Sequence, residues 1–143
     1  MIKIKKIKAE ETYAMRLAIL RNEIELPYKF KEDFFEETFH LGAYYEEELV
    51  GIATFMKNKM EGFEEAQYQL RGMATLEKVR GKGFGKEIIE EAKNILSKKE
   101  VFILWCNARK EAVSFYEKLS FNKMGAAFDV VKVGVHFKMY TKI

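Results

Sequence analysis

The stretch VRGKGFGKEII, residues 79–89, constrains this chain more than any other. Gly81, Gly83 and Gly85 fall on alternate positions between Arg80, Lys82 and Lys86, and the sequence then turns apolar. Glycine gives up more backbone freedom on ordering than any other residue, so such a run suits a backbone that must bend left-handed or come very close to something. Just upstream, AQYQLRGMATL alternates. It predicts a strand with Ala66, Tyr68, Leu70 and Ala74 on one face and Gln67, Gln69, Arg71 and Met73 on the other. Downstream, Ile88, Ile89, Ala92, Ile95 and Leu96 repeat at helical spacing from Gly85 onward. A strand, a glycine turn and a helix start put unpaired N–H groups, about half a positive charge and three cationic side chains in one place. With no Cβ in the way, that suits a phosphate or pyrophosphate. The plain alternative is a basic surface turn.

Two phosphate motifs fit poorly. A P-loop needs Ser or Thr after Gly-Lys, and Glu87 follows Gly85-Lys86. A dinucleotide fold needs Gly-x-Gly-x-x-Gly in the first unit of a parallel sheet; here the third glycine comes one residue early and the loop lies past mid-chain.

The rest of the chain frames this segment. Its 143 residues suit a single domain, 1–143, with one core. Ile2, Ile4 and Ile7 predict a first strand. EETYAMRLAILRNEIEL (10–26) predicts a helix with Ala14, Leu17 and Ala18 on its apolar face and Pro27 just past its end. Residues 28–38 read as loop or short helix. Runs 39–45 and 49–57 read as a hairpin about an acidic turn. VFILWCN (101–107) reads as a buried strand. Ala112, Phe115, Tyr116 and Leu119 mark a further helix, and residues 129–143 read as strand broken at Gly134. This order predicts an α/β class: a mixed sheet with helices on both faces.

The formal charge of +3 falls short of the basic excess of a general nucleic-acid binder, and no apolar run approaches the ~20 residues of a membrane span. The alternating start is unlike a signal peptide, so a cytoplasmic protein is expected. One cysteine, Cys106, precludes an internal disulfide, and His40 and His136 have no metal-ligand spacing with nearby carboxylates. No metal is therefore expected.

RGKGFG resembles the Arg/Gln-x-x-Gly-x-Gly/Ala signature of the GNAT-type N-acetyltransferases, with Arg80, Gly83 and Gly85 at its fixed positions. YQLRGMATLEKVRGKGFGKEIIEEA is similar to that family's fourth strand, pyrophosphate loop and following helix. LWCNARKEAVSFYEKLSF is similar to its fifth strand and the helix after it. The resemblance spans most of the chain and is strongest over 68–121. It departs from the family at Ser120-Phe121, where Gly-Phe is common; glycine there would favour a left-handed cap, and serine asks for a different one.

The resemblance implies a mostly antiparallel twisted sheet whose fourth and fifth strands splay, with the pantetheine arm of acetyl-CoA entering between them. It implies that Met73, Ala74 and Thr75 supply backbone contacts, with an N–H near Met73 polarising the thioester carbonyl. Residues Arg80, Gly81, Lys82, Gly83, Phe84, Gly85 and Lys86 would hold the pyrophosphate, and Asn107 would bond the pantetheine arm. Tyr116 would protonate the leaving thiolate, as a phenol of pKa ~10 can when within hydrogen-bond reach. Each has a plainer role: core packing for Met73 and Tyr116, capping of a helix near Ala108 for Asn107.

The implied function is an N-acetyltransferase moving acetyl from acetyl-CoA to a primary amine of a small molecule or peptide by direct attack. A CoA-binding sensor without turnover is one alternative, and an interaction or nucleic-acid module using Lys82 and Lys86 on phosphates is another, against which the modest charge argues. No general base declares itself. Glu23, Glu25, Glu65 and His136 read as solvated groups, and Cys106 as a packed, inert thiol. Acidic residues in the first third would attract a cationic amine unless they are simply a solvated face. Tyr44 and Phe63 read as exposed aromatics for a pocket wall or a homodimer contact.

Overall fold

The computed structural model describes residues 1–143. The strands are β1 (Ile2–Ile7), β2 (Phe39–Tyr45), β3 (Glu48–Lys57), β4 (Gln67–Thr75), β5 (Ile103–Arg109), β6 (Asn122–Lys123), β7 (Phe128–Val130) and β8 (Gly134–Lys142). The order across the sheet is β1-β2-β3-β4-β5-β8-β6, with β7 also pairing with β8. Every pairing is antiparallel except β4–β5. That parallel pair requires a crossover, which the helix α2 (Phe84–Lys98) supplies.

The α2 residues Ile88, Ile89, Ala92 and Leu96 bury against Leu41, Val50 and Phe55 on one face of the sheet, as their spacing predicts. The short helix α3 (Val113–Glu117) adds Val113 and Tyr116 to the same core. The other face is covered by the segment after β1: a 3-10 turn Ala9–Thr12, α1 (Tyr13–Met15) and a π-helical turn Arg16–Leu20. Met15 packs there on Ile52 and Ala74.

Four local expectations are corrected. The helix expected over 10–26 ends at Leu20, and Ala14, Leu17 and Ala18 face solvent, with Leu17 50% exposed. Its last turn closes by an i−5 bond from the Arg21 N–H to the Arg16 carbonyl (3.0 Å), which rotates the buried face. Arg16 is buried instead. Its guanidinium meets both oxygens of Asp33 (2.8 and 2.9 Å), Thr54 Oγ1 (2.7 Å) and the Tyr28 carbonyl (3.0 Å). A buried charge is tolerated when it is paired and hydrogen-bonded in this way.

In β4 the alternation changes phase. Thr54 pairs with Arg71 but Ile52 pairs with Ala74, so β4 carries one extra residue at Gly72-Met73, where Gly72 has φ +63°. The bulge turns Met73 toward the core of Tyr68 and Leu70 and turns Ala74 to the opposite face, the reverse of strict alternation. Gln67 and Gln69 are buried, held through the Met60 N–H, the Phe63 carbonyl and Asn58.

Asn107 lies inside β5, opposite Lys138, and caps nothing: β5 runs on to Arg109 and the next helical turn starts at Lys110. Ser120 takes the left-handed conformation (φ +69°) that was expected to call for glycine. The Phe121 N–H bonds the Tyr116 carbonyl (3.1 Å) and the Ser120 N–H bonds Glu117 (3.1 Å), which is a Schellman cap. The ring contact Tyr116–Phe121, 5.2 Å between centroids, closes it.

Candidate active site

Strands β4 and β5 pair over four rungs, from Gln67↔Ile103 to Leu70↔Cys106. Beyond that rung β4 continues to Thr75 and β5 to Arg109 without pairing with each other. The β4 bulge sits at this divergence, and Gly72 and Met73 have no paired residue on either neighbouring strand. A cleft of about 270 Å³ opens there, lined by Met73, Cys106, Asn107 and Tyr116 among others. Ala74 and Thr75 return to register with β3, opposite Ile52 and Gly51.

The glycine loop follows β4. Gly81 (φ +78°) and Gly83 (φ +88°) are left-handed, and a Cβ built on either would have no atom within 4 Å. Open space on that side is what a ligand approaching the backbone needs. Gly85 serves a different end: its Cβ would stand 2.8 Å from Phe115 Cζ and 3.2 Å from Met73 Cε, so its smallness lets the start of α2 pack against α3 and β4. The Arg80 and Lys82 amides are used in local turns, bonding the Glu77 and Val79 carbonyls (3.2 Å each). The Glu87 N–H is the first to close a turn of α2, onto the Gly83 carbonyl (3.0 Å). The N–H groups of Gly81, Gly83, Phe84, Gly85 and Lys86 make no backbone hydrogen bond. The Phe84 ring is buried edge-on to Tyr45, so only its backbone faces the loop's open side. Arg80, Lys82 and Lys86 are exposed and outside every ion pair.

Tyr116 is buried between Phe115 and Phe121 and contacts the Cys106 thiol. Burial, and then Cys106, raise its phenol well above the ordinary value of 10.0, so it stays protonated through the physiological range. Burial likewise pushes the Cys106 thiol up to about 12, against a smaller opposing pull from Tyr116. The thiol is not a nucleophile at neutral pH.

Several residues stand where sequence reasoning did not put them. His136 is buried at the cleft, its Nδ1 within 2.9 Å of the Gly134 carbonyl, and is not a solvated group. Glu23, Glu25 and Glu65, by contrast, are exposed and off the cleft, as their reading as solvated groups expects. Tyr44 and Phe63 are half-buried, under Lys5 and against Tyr140, and neither lines the cleft. Arg21, Arg71 and Arg109 do line it, and their convergence left no local trace in the sequence. The bulge did leave one: a lone glycine inside an alternating strand. No helix is long and apolar enough to cross a membrane, and no group of His, Cys, Asp and Glu could hold a metal ion.

Comparison with known proteins agrees with this geometry. The family model described as "Acetyltransferase (GNAT) domain" matches residues 12–142. The chain is 39% identical over 142 residues to the uncharacterized N-acetyltransferase YitI of Bacillus subtilis strain 168, covering 98% of this chain and 95% of that protein. Its fold superposes on Escherichia coli ElaA with a TM-score of 0.77 at 18% identity, covering 98% of this chain and 99% of that one. It superposes on an aminoglycoside 6'-N-acetyltransferase complexed with coenzyme A with a TM-score of 0.76 at 11% identity, covering 98% and 96%. A fold whose central strands part beside a glycine loop, together with a family match over nearly its whole length, makes this chain a member of the GNAT N-acetyltransferases, the acetyl-CoA-dependent acyltransferases.

Proposed function

We propose that this protein transfers acetyl from acetyl-CoA to a primary amine by direct attack in the β4–β5 cleft. The observation that carries this reading is the end of β4–β5 pairing at Leu70↔Cys106, with Tyr116 buried at the opening and five free amides at the start of α2. The residues fit the co-substrate. The amides of Gly81, Gly83, Phe84, Gly85 and Lys86, with the Arg80, Lys82 and Lys86 charges, hold the pyrophosphate. The unpaired edges of β4 and β5, Asn107 included, take the pantetheine amides as a strand would.

When bound, acetyl-CoA supplies an activated acyl group. Met73, freed from pairing by the bulge, offers its N–H to the thioester oxygen as that oxygen gains charge. The amine nitrogen forms the new C–N bond with its lone pair, the C–S bond breaks with its electrons going to sulfur, and the proton lost by nitrogen is balanced by one gained at sulfur. Tyr116 gives the sulfur that proton, and the proton lost by nitrogen restores the phenol. Burial keeps the phenol protonated and so able to donate. An alkylammonium (pKa ~10.4) must lose a proton before attack. His136 is the base lining the cleft. With Nδ1–H donated to Gly134, its Nε2 is left to accept that proton.

The test is thermal. Saturating CoA raises Tm because it binds only the folded state, and Tyr116→Phe keeps that rise while turnover falls ~10²-fold or more. No rise at millimolar CoA refutes the reading. A rise with no turnover on any amine favours the sensor.

A further inference from the structure

We propose that the amine acceptor carries a negatively charged group, a carboxylate or a phosphate, bound by Arg21, Arg71 and Arg109 at the mouth of the cleft. This rests on the transferase reading above and names its substrate class. The 18 residues lining the cleft include these three arginines and no Asp or Glu.

The three come from separate elements: Arg21 from the turn after the π-helix, Arg71 from β4 beside the bulge, Arg109 from the end of β5. Arg21 Nη1 and Arg109 Nη2 donate to the same carbonyl, that of Leu20, at 3.1 and 2.9 Å. Arg21 Nε donates to the Pro27 carbonyl at 3.0 Å. Neither guanidinium has a carboxylate within 4.0 Å. Arg71 stacks on the Phe30 ring at 4.1 Å and lies 3.6 Å from Glu32, a partly buried pair. The contrast within the molecule is Arg16, which is paired with both oxygens of Asp33.

Arg71 has Glu32 beside it, but Arg21 and Arg109 converge with no anion of their own, and like charges repel. Burial, and then Arg109, Arg71 and Arg16, lower the Arg21 pKa from its ordinary value. Arg21 Nη2 and Arg109 Nε and Nη1 make no hydrogen bond within the protein, which leaves guanidinium N–H donors at the cleft of the kind that carboxylate and phosphate oxygens accept from. These oxygens take no part in the reaction; they dock the acceptor while its neutral amine forms the C–N bond already described.

Thiol release from acetyl-CoA is measured with matched acceptors: L-phenylalanine against phenethylamine, L-lysine against cadaverine, and O-phosphoethanolamine against ethanolamine. CoA-induced Tm shifts are run alongside. The expected result is a kcat/KM at least ~10-fold higher for an anionic member than for its twin, as for a charged hydrogen bond. The amino-acid and phosphate pairs separate the two anion sources. Arg109→Gln and Arg21→Gln should each remove most of that preference through KM, leaving the uncharged twin within about twofold and the CoA shift intact. A clamp that merely held Leu20 and Pro27 would weaken both twins alike. Uncharged twins turned over equally well or better, variants that harm both members equally, or no anionic member accepted while CoA still stabilises the protein, each overturn the proposal. Absence of any CoA shift is a separate readout; it defeats the transferase reading, and this inference falls with it.

Discussion

Gly83→Ala separates the loop's role in ligand binding from its role in folding. Gly83 precedes α2 with φ +88° and ψ 5°, and a Cβ there would meet nothing within 4 Å. The folded chain therefore loses only the cost of a left-handed alanine, ~1–2 kcal/mol. For a chain of this size that lowers Tm by about 3–10 °C. The methyl is also attached within the run of free amides at Gly81 and Gly83 to Lys86, on the open side a ligand would approach. Displacing one charge-assisted hydrogen bond removes ~1.5–3 kcal/mol of affinity, about 10–100-fold in Kd. At CoA equal to ~100 times the parent Kd, ligand adds ~2.7 kcal/mol, a Tm rise of about 8–13 °C. The same concentration adds ~1.4 kcal/mol to a variant ~10-fold weaker and ~0.4 kcal/mol to one ~100-fold weaker. Differential scanning calorimetry with and without CoA reads both quantities. Gly125→Ala is the control, left-handed at φ +81° with equally open space but outside the loop. It should lose similar baseline stability and keep the full CoA increment. A Gly83→Ala protein with an undiminished increment, or a Gly125→Ala protein that loses as much, refutes the cradle.

Three further outcomes follow from the packing. Cys106, buried and lifted to about 12, should resist alkylation at pH 8 until the protein unfolds, and Cys106→Ala should retain turnover; loss of activity there would indicate an acetyl-cysteine route. Ser120→Gly should raise Tm by about 3–5 °C, because it relieves a left-handed serine of ~1 kcal/mol; no gain would mean the cap is not strained. Burial alone would raise the Asp33 carboxyl, but hydrogen bonds from Arg16 and the Phe30 N–H and the Arg16 charge outweigh it and hold the pKa below its ordinary value. A depressed carboxylate contributes stability above its unfolded pKa of ~3.9 that is lost as pH falls through the folded value. Asp33→Asn should therefore lose ~3 kcal/mol or more at pH 7 by leaving Arg16 buried without its anion, and the gap to the parent should narrow below pH ~4. Parallel pH dependence of the two proteins would count against this.

What could be read from the residues was local or periodic. The glycine loop and α2 followed from a run whose spacing admits one repeat, and Ile88, Ile89, Ala92 and Leu96 are buried as that repeat requires. The order of strands, the hairpin and Tyr116 on an apolar helix face were legible for the same reason. Periodicity failed where a long-range contact outweighed it. Asp33 and Thr54 draw Arg16 into the interior and leave Leu17 outside, and a single inserted residue at Gly72 exchanges the faces of Met73 and Ala74. The arginine end of the cleft was wholly tertiary: Arg21, Arg71 and Arg109 share no spacing, and the nearest pair among them along the chain is 38 apart, between Arg71 and Arg109 (109 − 71). Only sheet order and the turn after the π-helix bring them to one mouth, because charge in a pocket is set by which elements meet there and not by how residues repeat along any one of them.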